Sequence, residues 1–188
     1  MGALLILTQC TNIAGLEELS FGGGGAGAGA GSGGAGASGQ GGGACGPPAT
    51  PPGGTCPLQV CTGGCVDGDT CLVDCNGTDT PCLSGTINCP AGFDCLIQCG
   101  DGGSCNATDI NCPPDYQCLV QCSGPYACVA ADINCSQTGH CALVCGADSN
   151  SCDAATLLCG EGPCLATCGG ASKPDQECGQ SCNCAPCN

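Results

Sequence analysis

The spacing of cysteine constrains this chain more than any other feature. Cys89, Cys95, Cys99 and Cys105 recur as Cys112, Cys118, Cys122 and Cys128, and again as Cys135, Cys141, Cys145 and Cys152, so the pattern advances by 23 residues. An earlier unit runs Cys65, Cys71, Cys75, Cys82 and a partial one begins Cys159, Cys164, Cys168, giving about five units of 23 or 24 residues. Other letters keep the step: Ile-Asn-Cys stands at 87–89, 110–112 and 133–135. A fixed short period marks a repeat architecture, in which a unit cannot bury its apolar face alone and stacked neighbours supply the core.

The local pattern within each unit decides what stacks. Gly and Pro punctuate the units too often for a helical hairpin, and the Cys-x3-Cys segments read with period two, which puts both cysteines and the residue between them on one face of a strand. Those middle residues are Val73, Ile97, Val120, Leu143 and Ala166, all apolar, whereas the next position holds Asp74, Gln98, Gln121, Val144 and Thr167. The Cys-apolar-Cys face therefore turns inward. Stacked one per turn, such units predict an all-β, disulfide-rich parallel β-solenoid, its coils about 4.8 Å apart and five of them spanning roughly 24 Å. The column Asn88, Asn111, Asn134 predicts an amide ladder at one turn. A string of EGF-like knots fits less well, because those carry six Cys in about 40 residues against four in 23 here.

Composition explains why sulfur is needed. Leu, Ile, Val and Phe make up only about 15% of the chain at a formal net charge of -15, a balance that ordinarily leaves a chain disordered. With 27 Cys among 188 residues, cross-links replace the missing core, and that chemistry belongs to oxidising, extracytoplasmic compartments. One base, Lys173, against 16 acids excludes nucleic acid as a partner, since phosphate binding needs a Lys/Arg patch.

The chain divides into an N-terminal lipoprotein-signal-like segment at 1–21, a Gly/Pro-rich tether at 22–55 expected to be flexible, and a cysteine-rich repeat domain at 56–188. The apolar run at 3–8 is too short to span a bilayer, but it leads through Leu7, Thr8 and Gln9 to Cys10, an order similar to the lipobox whose cysteine is cleaved and acylated. No basic residue precedes it, which implies a start upstream of Met1. Residues 22–44 hold 14 Gly in 23 positions, the composition of a coil. The Cys10 box, the segment IAGLEELSF at 13–21, the Gly/Ala tether and the cysteine-rich repeats together resemble the surface lipoproteins numerous in myxobacteria. The resemblance implies a lipid-anchored protein of the outer membrane or cell surface, with a secreted form as the alternative, and implies no activity.

Candidate site residues follow. With Cys10 acylated, 26 cysteines remain, and that even number fits complete disulfide pairing of the repeat cysteines named above, Cys65 to Cys168, with connectivity left open. The alternative is a thiolate metal site for Zn or Cu, sharpest at Cys178, Cys182, Cys184 and Cys187. Cys184-Ala185-Pro186-Cys187 also matches a redox Cys-x-x-Cys, though without the helix such motifs use. Asp67-Gly68-Asp69 and Asp101-Gly102 set acids beside glycine without the spacing of a calcium loop. His140 is the one histidine, and the chain lacks a nucleophile elbow, P-loop or dinucleotide fingerprint, so no enzyme activity and no cofactor is expected. A candidate interaction face remains. Leu72, Leu96, Leu119 and Leu165 fall in an outward column interrupted by Ala142, with Phe93 and Tyr116 a few residues upstream; stacking of these two rings on neighbouring coils is the simpler account, and contact with a polysaccharide or protein at the cell surface is the functional one.

Overall fold

A computed structural model describes residues 45–77, 82–148 and 150–187. Cys10, the apolar run and the Gly-rich stretch lie outside the described residues. No helix occurs among the described residues, and none is long and apolar enough to cross a membrane. Twelve short strands are present: β1 Gly64–Val66, β2 Thr70–Asp74, β3 Thr86–Asn88, β4 Asp94–Cys99, β5 Asp109–Asn111, β6 Cys118–Cys122, β7 Asp132–Asn134, β8 Cys141–Cys145, β9 Thr156–Leu158, β10 Cys164–Cys168, β11 Asp175–Glu177 and β12 Cys184–Ala185.

The strands form two sheets whose order skips along the chain, as the winding of a solenoid requires. One sheet runs β1-β2-β4-β6-β8-β10-β12 and the other β11-β9-β7-β5-β3. From β2 onward every neighbour is parallel and in register with its repeat position: Cys95 faces Cys118, Ile97 faces Val120, and Ile110 faces Ile133. The fold is thus the expected disulfide-rich β-solenoid of about five coils. Inside and outside are as the alternation requires. Val73, Ile97, Val120, Leu143 and Ala166 point inward from the larger sheet, and Ile87, Ile110, Ile133 and Leu157 meet them from the smaller one, all buried. At the ends of β3, β5 and β7, Asn111 donates to Asn88 at 2.9 Å and Asn134 to Asn111 at 3.0 Å, completing the amide ladder.

The return side of each coil carries no strand, yet it too is hydrogen-bonded from coil to coil. There the backbone repeatedly takes positive φ: Gly103, Cys105 and Ala107 in one coil, Tyr126, Cys128 and Ala130 in the next, Asn150, Cys152 and Ala154 in the third. Each non-glycine residue in that region costs about 1–2 kcal/mol, and the cost is tolerated because neighbours over-determine the geometry. The Cys128 amide donates to Ser104 and the Ala130 amide to Asp153, both at 2.9 Å, while the cysteines of this corner are held by their bridges.

The ends differ from the repeats. At the start, β1 folds back antiparallel on β2 through a turn in which Asp67 and Gly68 both have positive φ, the requirement of a type I′ hairpin turn. This is the local role of the Asp-Gly-Asp stretch. Ahead of it, the segment expected to be free tether is fastened at both ends: Cys45 is bonded to Cys182, the Gly53 amide donates to Gly92 at 3.0 Å and the Gly54 amide to Gly68 at 3.4 Å. Residues 45–54, expected within the tether, are therefore tied along the coils as a strap by a bridge and two backbone hydrogen bonds.

Candidate functional site

The interior is a double ladder of cystine. On one side lie Cys89–Cys95, Cys112–Cys118, Cys135–Cys141, Cys159–Cys164 and Cys178–Cys184. On the other lie Cys75–Cys82, Cys99–Cys105, Cys122–Cys128 and Cys145–Cys152. Cys56–Cys65 and Cys61–Cys71 close the cap, Cys168–Cys187 closes the final coil and Cys45–Cys182 fastens the strap. Among the described residues every cysteine is paired. Each internal coil thus places two aliphatic side chains between two bridges, and sulfur takes up volume that a longer chain would fill with leucine. Successive bridges touch: the Cys135 and Cys164 sulfurs, which belong to different bridges, are 3.9 Å apart.

In that pairing the expected four-thiolate set is split up. Cys178, Cys182, Cys184 and Cys187 are divided among three bridges, to Cys184, Cys45 and Cys168, so they do not converge on one centre as thiolates. Cys184 and Cys187 likewise belong to different bridges and are not bonded to each other. Their close approach in sequence is the crowding of a final coil that must end several bridges at once.

The outer surface of the seven-stranded sheet carries the apolar column. Leu72 pairs in register with Leu96, Leu96 with Leu119, Leu119 with Ala142, Ala142 with Leu165, and Leu165 with Ala185. These leucines alternate with buried neighbours and are partly buried themselves, each shielded by the rungs above and below. The expected direction of the column is correct. Its aromatic flank is not: Phe93 is only 6% exposed and belongs to the core, so it cannot contribute to a contact face. Tyr116 is partly exposed, and the aromatic row stops there because the coils close together. A Cβ on Gly139, the next position, would lie 2.0 Å from the Tyr116 carbonyl oxygen.

Charge is distributed unevenly between the two sheets. The smaller sheet turns Asp109 and Asp132 outward side by side, followed by Asp175 in the same row and Glu177 beside it. On the larger sheet, the rows flanking the leucines hold Asp74 and Asp94 at the start, and then Gln98 and Gln121 on one side and Gln117 and His140 on the other. From Gln117 to the last strand that face carries no acid. The Asp94 carboxylate accepts the Gln117 amide at 2.9 Å and its side-chain NH2 at 3.3 Å; burial, with a smaller push from Asp69, still holds its pKa above the ordinary 3.8. Burial lowers the pKa of His140.

Two further features had no signal in the repeat. Among the described residues, Leu58, Val66, Leu83 and Tyr126 are the exposed large apolar side chains; Tyr126 sits at a corner position with positive φ, which a 23-residue periodicity cannot reveal. A cleft of about 330 Å³ opens where the strap crosses the coils, lined by Pro47 and Ala49 on the strap and Asp115, Thr138 and Glu161 on three successive corners. Thr138 donates to Asp115 at 3.1 Å.

The architecture defines a disulfide-rich β-solenoid module, compatible with a structural role and suited to an oxidising, extracytoplasmic setting. No family model, curated protein or solved structure matches the chain.

Proposed function

We propose that the chain is a non-enzymatic structural or adhesive module, held at the cell surface by a lipid on Cys10 and contacting a polysaccharide or protein through the outer face of its larger sheet. The observation that carries this reading is the contrast between an acidic molecule and one face whose leucine column is flanked, from the third coil on, by uncharged side chains alone. Uncharged flat surfaces of repeat proteins are suited to extended partners, because the same side chain recurs at each coil. Complete pairing of the described cysteines supports a scaffold over a thiolate metal protein. The layout upstream of Cys45, similar to that of myxobacterial surface lipoproteins, supports attachment.

One comparison of three forms tests both halves. Cys10→Ser should move the protein from the membrane fraction to the soluble fraction. Leu119→Thr with Leu165→Thr should stay in the membrane fraction and lose attachment to matrix. Thr is chosen because it keeps strand preference and adds no like charges across the rungs. Membrane retention of the Cys10→Ser form would remove the anchor, and undiminished attachment of the double variant would remove the contact face.

A further inference from the structure

Cys45 precedes the cap and every coil in sequence, yet its sulfur is bonded to Cys182, 137 residues later. Cys182 lies between β11 and β12, in the last coil, flanked by Cys178–Cys184 and Cys168–Cys187. From Cys45 the strap travels backwards along the coils. Pro47 and Ala49 share a cleft with Glu161, Pro163 and Cys182, Gly53 reaches Gly92 and Gly54 reaches Gly68 at the first hairpin. Only then does the chain enter the cap at Cys56.

We propose that the Cys45–Cys182 bridge is the joint through which this module carries tension: a pull on the chain upstream of Cys45 enters the solenoid at its last coil, and the strap, the cap and the preceding coils are left outside the path of the force. This rests on the reading that the chain is attached through its N-terminal side, but the joint itself is a property of the isolated molecule. Without the bridge the pull would fall on residues 46–55, of which 46–50 are exposed, and on the two strap hydrogen bonds of 3.0 and 3.4 Å. Hydrogen bonds loaded one after another peel. With the bridge, the same pull meets a covalent bond and then residues cross-linked on both sides to β10 and to the end of β11. The cap, with Leu58 68% and Val66 43% exposed, becomes the end farthest from the attachment.

The test cuts the strap after folding. A site-specific protease sequence replaces residues 47–50, and the oxidised full chain is cleaved and run with and without reductant. The N-terminal fragment should stay covalently joined to the solenoid until reductant is added. In single-molecule pulling between the two chain ends, coupled by peptide ligation to avoid thiols, cut and uncut chains should give the same trace, with no unfolding step from the solenoid. Cys45→Ser with Cys182→Ser should add a low-force step of roughly 35 Å as about ten strap residues come free. Release of the fragment on cutting without reductant, or stepwise unravelling of the uncut chain, overturns the proposal. Should the double variant not fold, the cutting experiment decides alone. A Cys10→Ser result against anchoring would leave both outcomes unchanged.

Discussion

Replacing Cys122 and Cys128 with alanine measures how much of this fold is held by its bridges and how much by its rungs. The two residues are six apart; closing a loop of that size restrains the unfolded chain by about 2 kcal/mol. Both are buried, at 1% and 0% exposure, and removing two interior sulfurs beside Val120 leaves a void that costs about 1–2 kcal/mol more. Together these give a loss of about 3–4 kcal/mol, or roughly 10 °C in melting temperature for a folded unit of this size. Calorimetry on the oxidised protein reads the total. Amide exchange locates it: protection should fall first at Cys128 and Ala130, whose amides bond to the neighbouring coils, while Ile110 and Ile133 keep theirs. A fall below about 2 °C would refute the reasoning and show that the parallel rungs and the left-handed corner hold each coil without the sulfur.

Two smaller tests probe one buried and two half-buried polar groups. Ser136 is 2% exposed and its hydroxyl has no partner, at the position where earlier units have Pro90 and Pro113, so Ser136→Ala should raise stability by about 1 kcal/mol in denaturant unfolding; a loss would mean that the hydroxyl is bonded after all. Acidification acts through Asp94 and His140 in opposite senses. The raised Asp94 pKa means the folded state binds its proton more readily, so stability is gained as pH falls from neutrality through that value and is complete below the ordinary 3.8. The lowered His140 pKa gives stability present above 6.5 and lost as pH falls through the folded value. With a net charge of -15 relaxing at the same time, melting temperature should peak on the acid side of neutrality, and His140→Gln should remove the loss that sets in as pH falls below 6.5. A steady decline from pH 7 to 4 in the His140→Gln protein would contradict this assignment.

The repeat was legible because it is written in residues that cannot be exchanged without changing sides. A 23-residue step with Cys-apolar-Cys at its centre allows one register, since a slip of one residue would put Leu96 inside and Ile97 outside. The same logic made the asparagine ladder readable, because a column of identical amides has a partner at every coil. What a period cannot carry is whatever occurs once. The cap joins Cys65 to Cys56 and Cys71 to Cys61, although Cys65 and Cys71 occupy a repeat position, because the first unit closes with a hairpin in which β1 pairs antiparallel with β2. Phe93 belongs to the core although its row had suggested a surface.

The strap shows the same limit most fully. Residues 47–53 are rich in proline, which removes amide donors and stiffens the chain, and by composition alone they read as a spacer. Their place is set instead by Cys45, a lone cysteine outside the period, and by the glycines it passes. Gly53 has φ 63, and a Cβ there would lie 2.5 Å from the Gly68 carbonyl oxygen, so the strap touches the hairpin only because that residue has no side chain. A bulky replacement at Gly53 would lift this end of the strap and leave the other fastened by its bridge. Attachment and contact, as proposed, are therefore separable in this molecule: the first would load a covalent joint at the last coil, and the second would use a leucine column, interrupted by Ala142, on the larger sheet.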